Sequence, residues 1–233
     1  MNLDKSPHTM IGMFNSVAYH YDVINDVMTA FSHRRTKKVA ARFSIFKAGQ
    51  KALDLATGTG SLAFQLLKEA QGTVVGIDIS DKMLWIASAR SRRLGMNRNT
   101  AFYRVDINNL PFLDEVFDVC TIGYGIRNVQ NPLSAMKEIL RVTKNNGRFI
   151  IIEATPPSNY YIRFLTLFHF RKLAPLIAKF FFSNVQAYNY LAESISQFPK
   201  ASEFAEIVKR VGWKKVYYYP MYLGAVTIFL AVK

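Results

Sequence analysis

Cysteine is almost absent from this chain. Its 233 residues include one, Cys120, which excludes a disulfide framework and a four-cysteine zinc site. Cys120 lies in the apolar run 117–122, a setting typical of a buried small side chain rather than a reactive thiol. We expect no bound metal.

Long apolar segments are missing as well. The first 30 residues lack a basic head followed by an uninterrupted apolar stretch, so no secretory signal is expected. The 17 residues 216–232 carry no charge, but Pro220 and Gly224 interrupt them, which favours two strands and a turn over a membrane span. We therefore expect a cytoplasmic protein, or one bound at the inner face of the cytoplasmic membrane.

Acidic residues are few: the chain has 16 Asp and Glu and 30 Lys and Arg, which gives a formal net charge of +14. The basic residues cluster in the stretches 33–51, 90–104 and 160–186. Such surfaces suit phosphate polyanions or anionic lipid headgroups, and composition alone does not choose between them. Because half of the residues are hydrophobic, we expect a folded core rather than disorder.

Short apolar runs alternate with helical patterns in the middle of the chain. Strands are predicted at 52–56, 73–79, 101–107, 117–124 and 148–153, and helices at 61–71, 81–94 and 132–144. This alternation predicts a Rossmann-like α/β fold, with a parallel sheet between helices. Ligands of such sheets bind at the carboxyl ends of the strands.

The flanks extend one domain that covers residues 1–233. We expect a helical N-terminal extension at 1–49 and a cofactor-binding core at 50–157. An aromatic and basic helical lid insert is predicted at 158–200, followed by a C-terminal helix and strands at 201–233.

A glycine turn, Asp54-Leu55-Ala56-Thr57-Gly58-Thr59-Gly60, joins the first predicted strand to the first helix. Gly58 and Gly60 let the backbone bend sharply and let a ligand approach closely. Asp78 ends the second strand, where a carboxylate can accept hydrogen bonds from both ribose hydroxyls of a nucleoside.

The identity of the nucleoside follows from two further acids. The turn also fits the dinucleotide fingerprint, Gly58-x-Gly60-x-x-Ala63. However, Asp54 lies beneath the turn, where it can engage a ligand's amino group. Asp106 is placed to accept from an adenine amine, with Ile107 beside it to pack on the ring. These features favour S-adenosylmethionine over a nicotinamide dinucleotide.

Four motifs carry a family resemblance. They are Phe14-Asn15-Ser16-Val17-Ala18-x-x-Tyr21-Asp22-x-x-Asn25-Asp26 leading to His33, Ile122-Gly123-Tyr124-Gly125-Ile126-Arg127-Asn128-Val129, Arg141-Val142-x-Lys144-x-x-Gly147-Arg148 followed by Glu153, and Tyr190-Leu191-Ala192-Glu193-Ser194-Ile195 with Phe198-Pro199. From about Met13 to its C-terminus, the chain resembles the UbiE/MenG family, the C-methyltransferases of menaquinone and ubiquinone biosynthesis.

The resemblance implies a class I methyltransferase fold, a seven-stranded sheet whose last strand is antiparallel. It also implies donor contacts at Thr59, at Asp78 and at the Asp106-Ile107 pair. Asp106 replaces the family's usual Asn. Gly123 replaces a frequent Ser that touches the donor.

The implied reaction is C-methylation of a reduced polyprenyl quinone. We favour demethylmenaquinol, with the benzoquinol of the ubiquinone pathway as an alternative. Arg127 is a candidate to stabilise a developing oxyanion, Asn128 to orient the oxygen and His33 to remove the proton. Tyr21 and Tyr124 are weaker candidates.

The partners follow from the same hypothesis. Aromatic residues of the insert could cover a polyprenyl tail, and its cations could dock on an anionic membrane surface. A homodimer is left open. The charge of +14 also suits an RNA methyltransferase, but no Asn-Pro-Pro-Tyr motif and no catalytic cysteine pair is present, so a nucleic-acid substrate is disfavoured.

Overall fold

A sheet of seven strands lies at the centre of the part of the chain that the structure describes. This structure is a computed structural model that describes residues 3–29, 31–168 and 185–233. The strands are β1 (Lys51–Leu55), β2 (Thr73–Asp78), β3 (Thr100–Arg104), β4 (Phe117–Gly123), β5 (Thr143–Ala154), β6 (Lys215–Met221) and β7 (Val226–Val232).

Helices precede the sheet and connect its strands. They are α1 (Pro7–Val17), α2 (Tyr21–Met28), α3 (Ser32–Phe43), α4 (Ser61–Glu69), α5 (Asp81–Arg93), α6 (Pro132–Val142), α7 (Tyr160–Phe168), α8 (Val185–Ser196) and α9 (Ala201–Val211). Ser80 caps the N-terminus of α5, because the Met83 N–H donates to Ser80 Oγ at 3.2 Å. In α6, Asn131 caps the N-terminus in the same way.

The strand order is β3-β2-β1-β4-β5-β7-β6. Strands β1 to β5 run parallel, and β7 is antiparallel to both β5 and β6. The chain order reverses between the neighbours β1 and β4, which makes their carboxyl ends the switch point where such folds bind ligands. The core of the sheet is apolar on both faces, since Leu53, Ile122 and Ile151 are buried on one face and Ala52, Val119 and Ile150 on the other.

The predicted core elements are confirmed, with two differences at strand ends. Strand β3 ends at Arg104, so that Asp106 lies in the following loop. Strand β5 begins at Thr143 instead of residue 148, because Thr143 already pairs with Phe117 across an irregularity in the ladder. Polar Asn145 and Asn146 hide this extension from a hydrophobicity pattern.

Two expectations from composition are also tested. Cys120 is fully buried, and burial raises the pKa of its thiol to about 12. Because the thiolate is the reactive form, this thiol is inert, as expected for a residue of the core. The uncharged C-terminal stretch forms β6 and β7, as predicted. Across the described ranges, we find no helix with the length and apolar character to cross a membrane.

The predicted lid insert begins with α7 and ends with α8. Its candidate lid and lipid-binding residues Phe170, Arg171, Lys172, Lys179, Phe180, Phe181 and Phe182 lie outside the described residues.

Candidate functional site

A cavity of about 800 Å³ opens at the carboxyl edge of β1 to β4. Its position at the switch point of the sheet suits a small-molecule ligand. Among its lining residues are six that the sequence predicted, namely Gly58, Asp78, Asp106, Ile107, Gly123 and Asn128. Strand ends bring them together because parallel strands finish at one edge of the sheet.

The glycine turn holds Asp78 in place. The Gly58 N–H donates to Asp78 Oδ2 and the Ser80 N–H to Oδ1, each at 2.9 Å. Gly58 and Gly60 have φ of 55° and 77°, in the left-handed region that favours glycine. At Gly60 a Cβ would also lie 2.8 Å from the Phe64 ring. Gly60 lines no described cavity, so its part is to shape the turn.

Asp54 lies beneath the turn and is buried. Its carboxylate accepts from Thr57 Oγ1 at 2.5 Å and from Thr121 Oγ1 at 2.6 Å. Burial raises the pKa of Asp54 to about 6. Asp54 and Thr59 line a smaller cavity of about 310 Å³, which shares Gly58 and Gly123 with the large one.

The loop after β3 places the polar side chains of Asp106 and Asn108 at the large cavity. Asp106 Oδ1 accepts from the backbone N–H of Asn108 at 2.9 Å and from its Nδ2 at 3.0 Å. Asn108 lines the large cavity, and its Oδ1 is buried with no hydrogen-bond partner among the described residues. A ligand amine would satisfy this atom. The sequence analysis missed Asn108, whose proximity to Asp106 was the available signal.

The N-terminal helices form one wall of the large cavity. Its lining residues from this segment are Lys5, Pro7, Met10, Phe14 and Tyr21. Three polar contacts fasten this wall. Ser80 Oγ donates to Asn15 Oδ1 at 2.7 Å, and Asp22 accepts from Thr59 Oγ1 at 2.9 Å and from Arg90 Nη1 at 2.8 Å. The motif 14–26 was visible in the sequence, but its place over the sheet edge was not.

A second cavity of about 590 Å³ adjoins the first. The two share Phe14, Tyr21, Tyr124 and Asn128. The remaining lining consists of four apolar residues, Met13, Val17, Ile24 and Leu191, and of the polar residues Asn25, Arg127 and Tyr190. A flat apolar molecule with a polar edge fits this composition.

Arg127 reaches the second cavity from a network that compensates its charge. It forms an ion pair with Glu153, whose side chain is 0% exposed. Arg127 Nη1 also donates to the Tyr124 carbonyl at 3.0 Å, and Nε to Ser194 Oγ at 3.3 Å. In the described part of the chain, Nη2 is the group left without a partner.

Helix α8 contacts the neighbouring polar residues Arg127 and Asn128. Tyr190 OH donates to Asn128 Oδ1 at 3.1 Å, while Ser194, four residues later, accepts from Arg127. Residues four apart lie on one face of a helix, so a single face of α8 contacts two adjacent residues. The sequence analysis assigned no role to Tyr190 and Ser194. Their spacing of four residues in the motif 190–195 was the available signal that they contact one site.

His33 lies apart from these residues. It lines none of the three cavities, and its ring bonds Thr29 Oγ1 at 2.9 Å and lies 3.5 Å from Asp26. Burial, followed by the charge of Lys37, lowers the pKa of His33 to about 4. The structure therefore does not bring His33 together with Arg127 and Asn128.

The weaker candidates Tyr21 and Tyr124 do line both larger cavities. Burial raises the pKa of each hydroxyl above its usual value. Both are therefore neutral at physiological pH and suited to donate a hydrogen bond rather than to accept a proton.

A family model matches residues 3–233 and describes the ubiE/COQ5 methyltransferase family. The chain belongs to this family. Among curated members, the demethylmenaquinone methyltransferase of Paenarthrobacter aurescens is 37% identical over 100% of this chain and 89% of its own. The ubiquinone/menaquinone biosynthesis C-methyltransferase UbiE of Pseudomonas fluorescens is 34% identical over 95% of this chain and 87% of its own. The resemblance noted from the four motifs is thus confirmed.

Solved structures of lower identity share the fold. A methyltransferase from Methanococcus maripaludis, described as putative and S-adenosylmethionine-dependent, is 17% identical and aligns with a TM-score of 0.67 over 100% of this chain and 95% of its own. An S-adenosylmethionine-dependent methyltransferase from Aquifex aeolicus gives 20% identity and 0.61 over 84% and 87%. The predicted class I methyltransferase fold is confirmed, and with the family it confirms S-adenosylmethionine as the methyl donor.

No group of three or more His, Cys, Asp or Glu side chains that could hold a metal ion occurs within the described ranges.

Proposed function

We propose that this family member transfers the methyl group of S-adenosylmethionine to a ring carbon of demethylmenaquinol. The observation that carries the proposal is the pair of adjoining cavities. The large one holds acceptors for a ribose and an adenine, and the second is mostly apolar. The shared residues Phe14, Tyr21, Tyr124 and Asn128 mark where donor and acceptor would meet.

In this proposal the large cavity binds the donor's nucleoside. Asp78 would accept from the ribose hydroxyls, and Asp106 and Asn108 from the adenine amine, with Ile107 against the ring. Asp54, Thr59 and Gly123 line the smaller cavity, where the methionyl end would lie. Bound there, the donor supplies an electrophilic sulfonium methyl group.

The second cavity positions the acceptor. A hydroquinol becomes a carbon nucleophile when a phenolic proton leaves, and that state is favoured by donors near its oxygen. Asn128 and Arg127 line this cavity and are the residues proposed to orient and stabilise the oxygen. The charge of Arg127 is compensated by Glu153. We therefore propose that Arg127 acts by donating a hydrogen bond to the substrate oxygen and not as an uncompensated positive charge.

The naphthoquinol is preferred as the ring for two reasons. One relative, 37% identical over the whole chain, carries the demethylmenaquinone name. The second cavity is also lined by apolar side chains, among them Met13, Val17, Ile24 and Leu191, which suit an apolar ring system.

The test is methyl transfer from labelled S-adenosylmethionine to demethylmenaquinol and to a polyprenyl benzoquinol, measured side by side. We expect label in the reduced naphthoquinol and none in its oxidised quinone, because the quinone is not a carbon nucleophile. Total RNA serves as a third acceptor. Label in the benzoquinol alone would reassign the ring, and label in RNA alone would contradict the proposal.

We also propose that α7 docks on an anionic membrane surface, where the substrate resides. Its side chains at positions 160, 161, 164, 165 and 168 form an apolar, solvent-exposed surface at spacings of four. Arg163 lies among them and stacks over the Tyr160 ring. Exposed aromatic and aliphatic side chains with a cation among them are typical of a helix lying in a lipid interface.

Vesicle sedimentation tests this surface. In vesicles of phosphatidylcholine with phosphatidylglycerol, the double change Phe164→Ser and Leu165→Ser is expected to weaken binding by about tenfold or more, since both side chains leave the apolar phase. They are 60% and 64% exposed. Leu133→Ser, at another exposed leucine on α6, is the control and should bind like the parent. Equal losses in both variants, or binding that high salt does not weaken, would contradict the docking proposal.

A further inference from the structure

Lys37 is a buried cation in an otherwise exposed basic stretch. On α3, Arg34, Arg35 and Lys38 are exposed, whereas Lys37 is 7% exposed. Its Nζ donates to Ser61 Oγ at 2.5 Å. Among the described residues, no carboxylate lies within 4.0 Å of Nζ.

Such a cation is costly without an anion. Burial lowers the pKa of Lys37, because the ammonium has lost most of its hydration. Nearby acids do not pair with it directly, since Asp22 binds Thr59 and Arg90 and Asp54 binds Thr57 and Thr121. A buried charge is normally paired, so this environment calls for an anionic partner from outside the chain.

The smaller cavity is where that partner would lie. Lys37 and Asp54 both line it, together with Thr57, Thr59 and Ser61. It shares Tyr21, Ala56, Gly58 and Gly123 with the large cavity, so one ligand can extend from the nucleoside site into it. Ser61 also begins α4, a nine-residue helix whose N-terminal end favours negative charge.

One acid and one cation thus line the same polar space. An α-amino acid carries an ammonium and a carboxylate on one carbon, and these match Asp54 and Lys37 respectively. We propose that Lys37 binds the α-carboxylate of the methionyl group of S-adenosylmethionine, with Asp54 facing its α-ammonium. Lys37 thereby becomes a specificity residue for the intact amino-acid end of the donor. The inference rests on S-adenosylmethionine as donor and not on the quinol assigned above.

A pair of ligands tests this inference by binding alone. Calorimetry compares S-adenosylmethionine with its decarboxylated form, S-adenosylmethioninamine, which keeps the nucleoside, the sulfonium and the amine. The parent protein is expected to prefer the intact donor by about tenfold or more, the usual weight of a hydrogen bond to a charged group. Lys37→Met should remove this preference by weakening the intact donor alone.

Two further variants keep the result interpretable. Lys37→Gln retains a donor for Ser61 without the charge and should lose the preference as well. Lys38→Met, at the exposed neighbour, should keep it. An unchanged preference in both Lys37 variants, or a parent that binds the two ligands equally, would overturn the role of Lys37 while leaving the methyl transfer intact. A parent that binds neither ligand would contradict the donor itself.

Discussion

Replacing Arg127 by methionine is expected to lower the free energy of unfolding by about 3–5 kcal/mol and to abolish methyl transfer. The change leaves Glu153 fully buried without its cation. The remaining partners of that carboxylate are the backbone N–H groups of Arg127, at 3.3 Å, and Ala154, at 2.9 Å. They do not neutralise its charge, so the protein must protonate or expose it.

Thermal unfolding measures the stability effect. For a chain of this size, the loss corresponds to a melting temperature about 6–20 °C lower. The control is Lys209→Met, which removes an exposed ion pair with Glu206 and should cost no more than about 1 kcal/mol. If Arg127→Met behaves like this control, the buried pair does not hold the site together.

A double variant separates stability from chemistry. Arg127→Met combined with Glu153→Met replaces the ion pair by apolar side chains, an exchange that is often neutral or stabilising. We expect most of the stability to return while methyl transfer to the quinol stays lost, because the donor to the substrate oxygen is still missing. Recovery of both would show that Arg127 acts only through the structure.

Asp78→Asn is expected to weaken binding of S-adenosylmethionine on the order of 100-fold, the loss of a charge-assisted acceptor for the ribose. The amide also cannot accept from both the Gly58 and the Ser80 N–H, which now hold the carboxylate in the large cavity. Calorimetry with S-adenosylmethionine and with S-adenosylhomocysteine measures the effect. Because both ligands carry the ribose, both should weaken to a similar extent.

The control is Asp81→Asn, three residues further on. Asp81 is 66% exposed and forms an ion pair with Arg104 at 2.8 Å, outside the cavity lining. The Asp81→Asn variant should bind both ligands like the parent protein. A loss in Asp78→Asn confined to S-adenosylmethionine would mean that Asp78 acts on the sulfonium charge instead of the ribose.

Much of the proposed donor site could be predicted from local sequence. Asp78 and Gly123 end strands whose apolar patterns are clear, and parallel strands bring such ends to one edge. Glycines at positive φ mark the turn for the same local reason. Asn108 was missed because its unpaired oxygen is a property of the folded environment and not of its residue type.

The proposed acceptor site could not be predicted in the same way. Its motifs were recognisable, but their meeting point depends on contacts across long separations in the chain. Arg127 meets Glu153 and Ser194, 26 and 67 positions away, and Asp22 meets Thr59 across 37. His33 illustrates the converse, since a suitable side chain beside a recognised motif lies outside the cavities.

The sequence by itself determined the alternation of strands and helices, the glycine turn and the acids at the strand ends, because hydrophobic period and backbone freedom are local properties. Tertiary structure decided which charges are compensated. It paired Arg127 with Glu153, and it buried Lys37 beside Asp54 without a carboxylate in contact. Burial and pairing depend on how distant elements pack, so one basic residue became part of an ion pair and another a candidate ligand anchor.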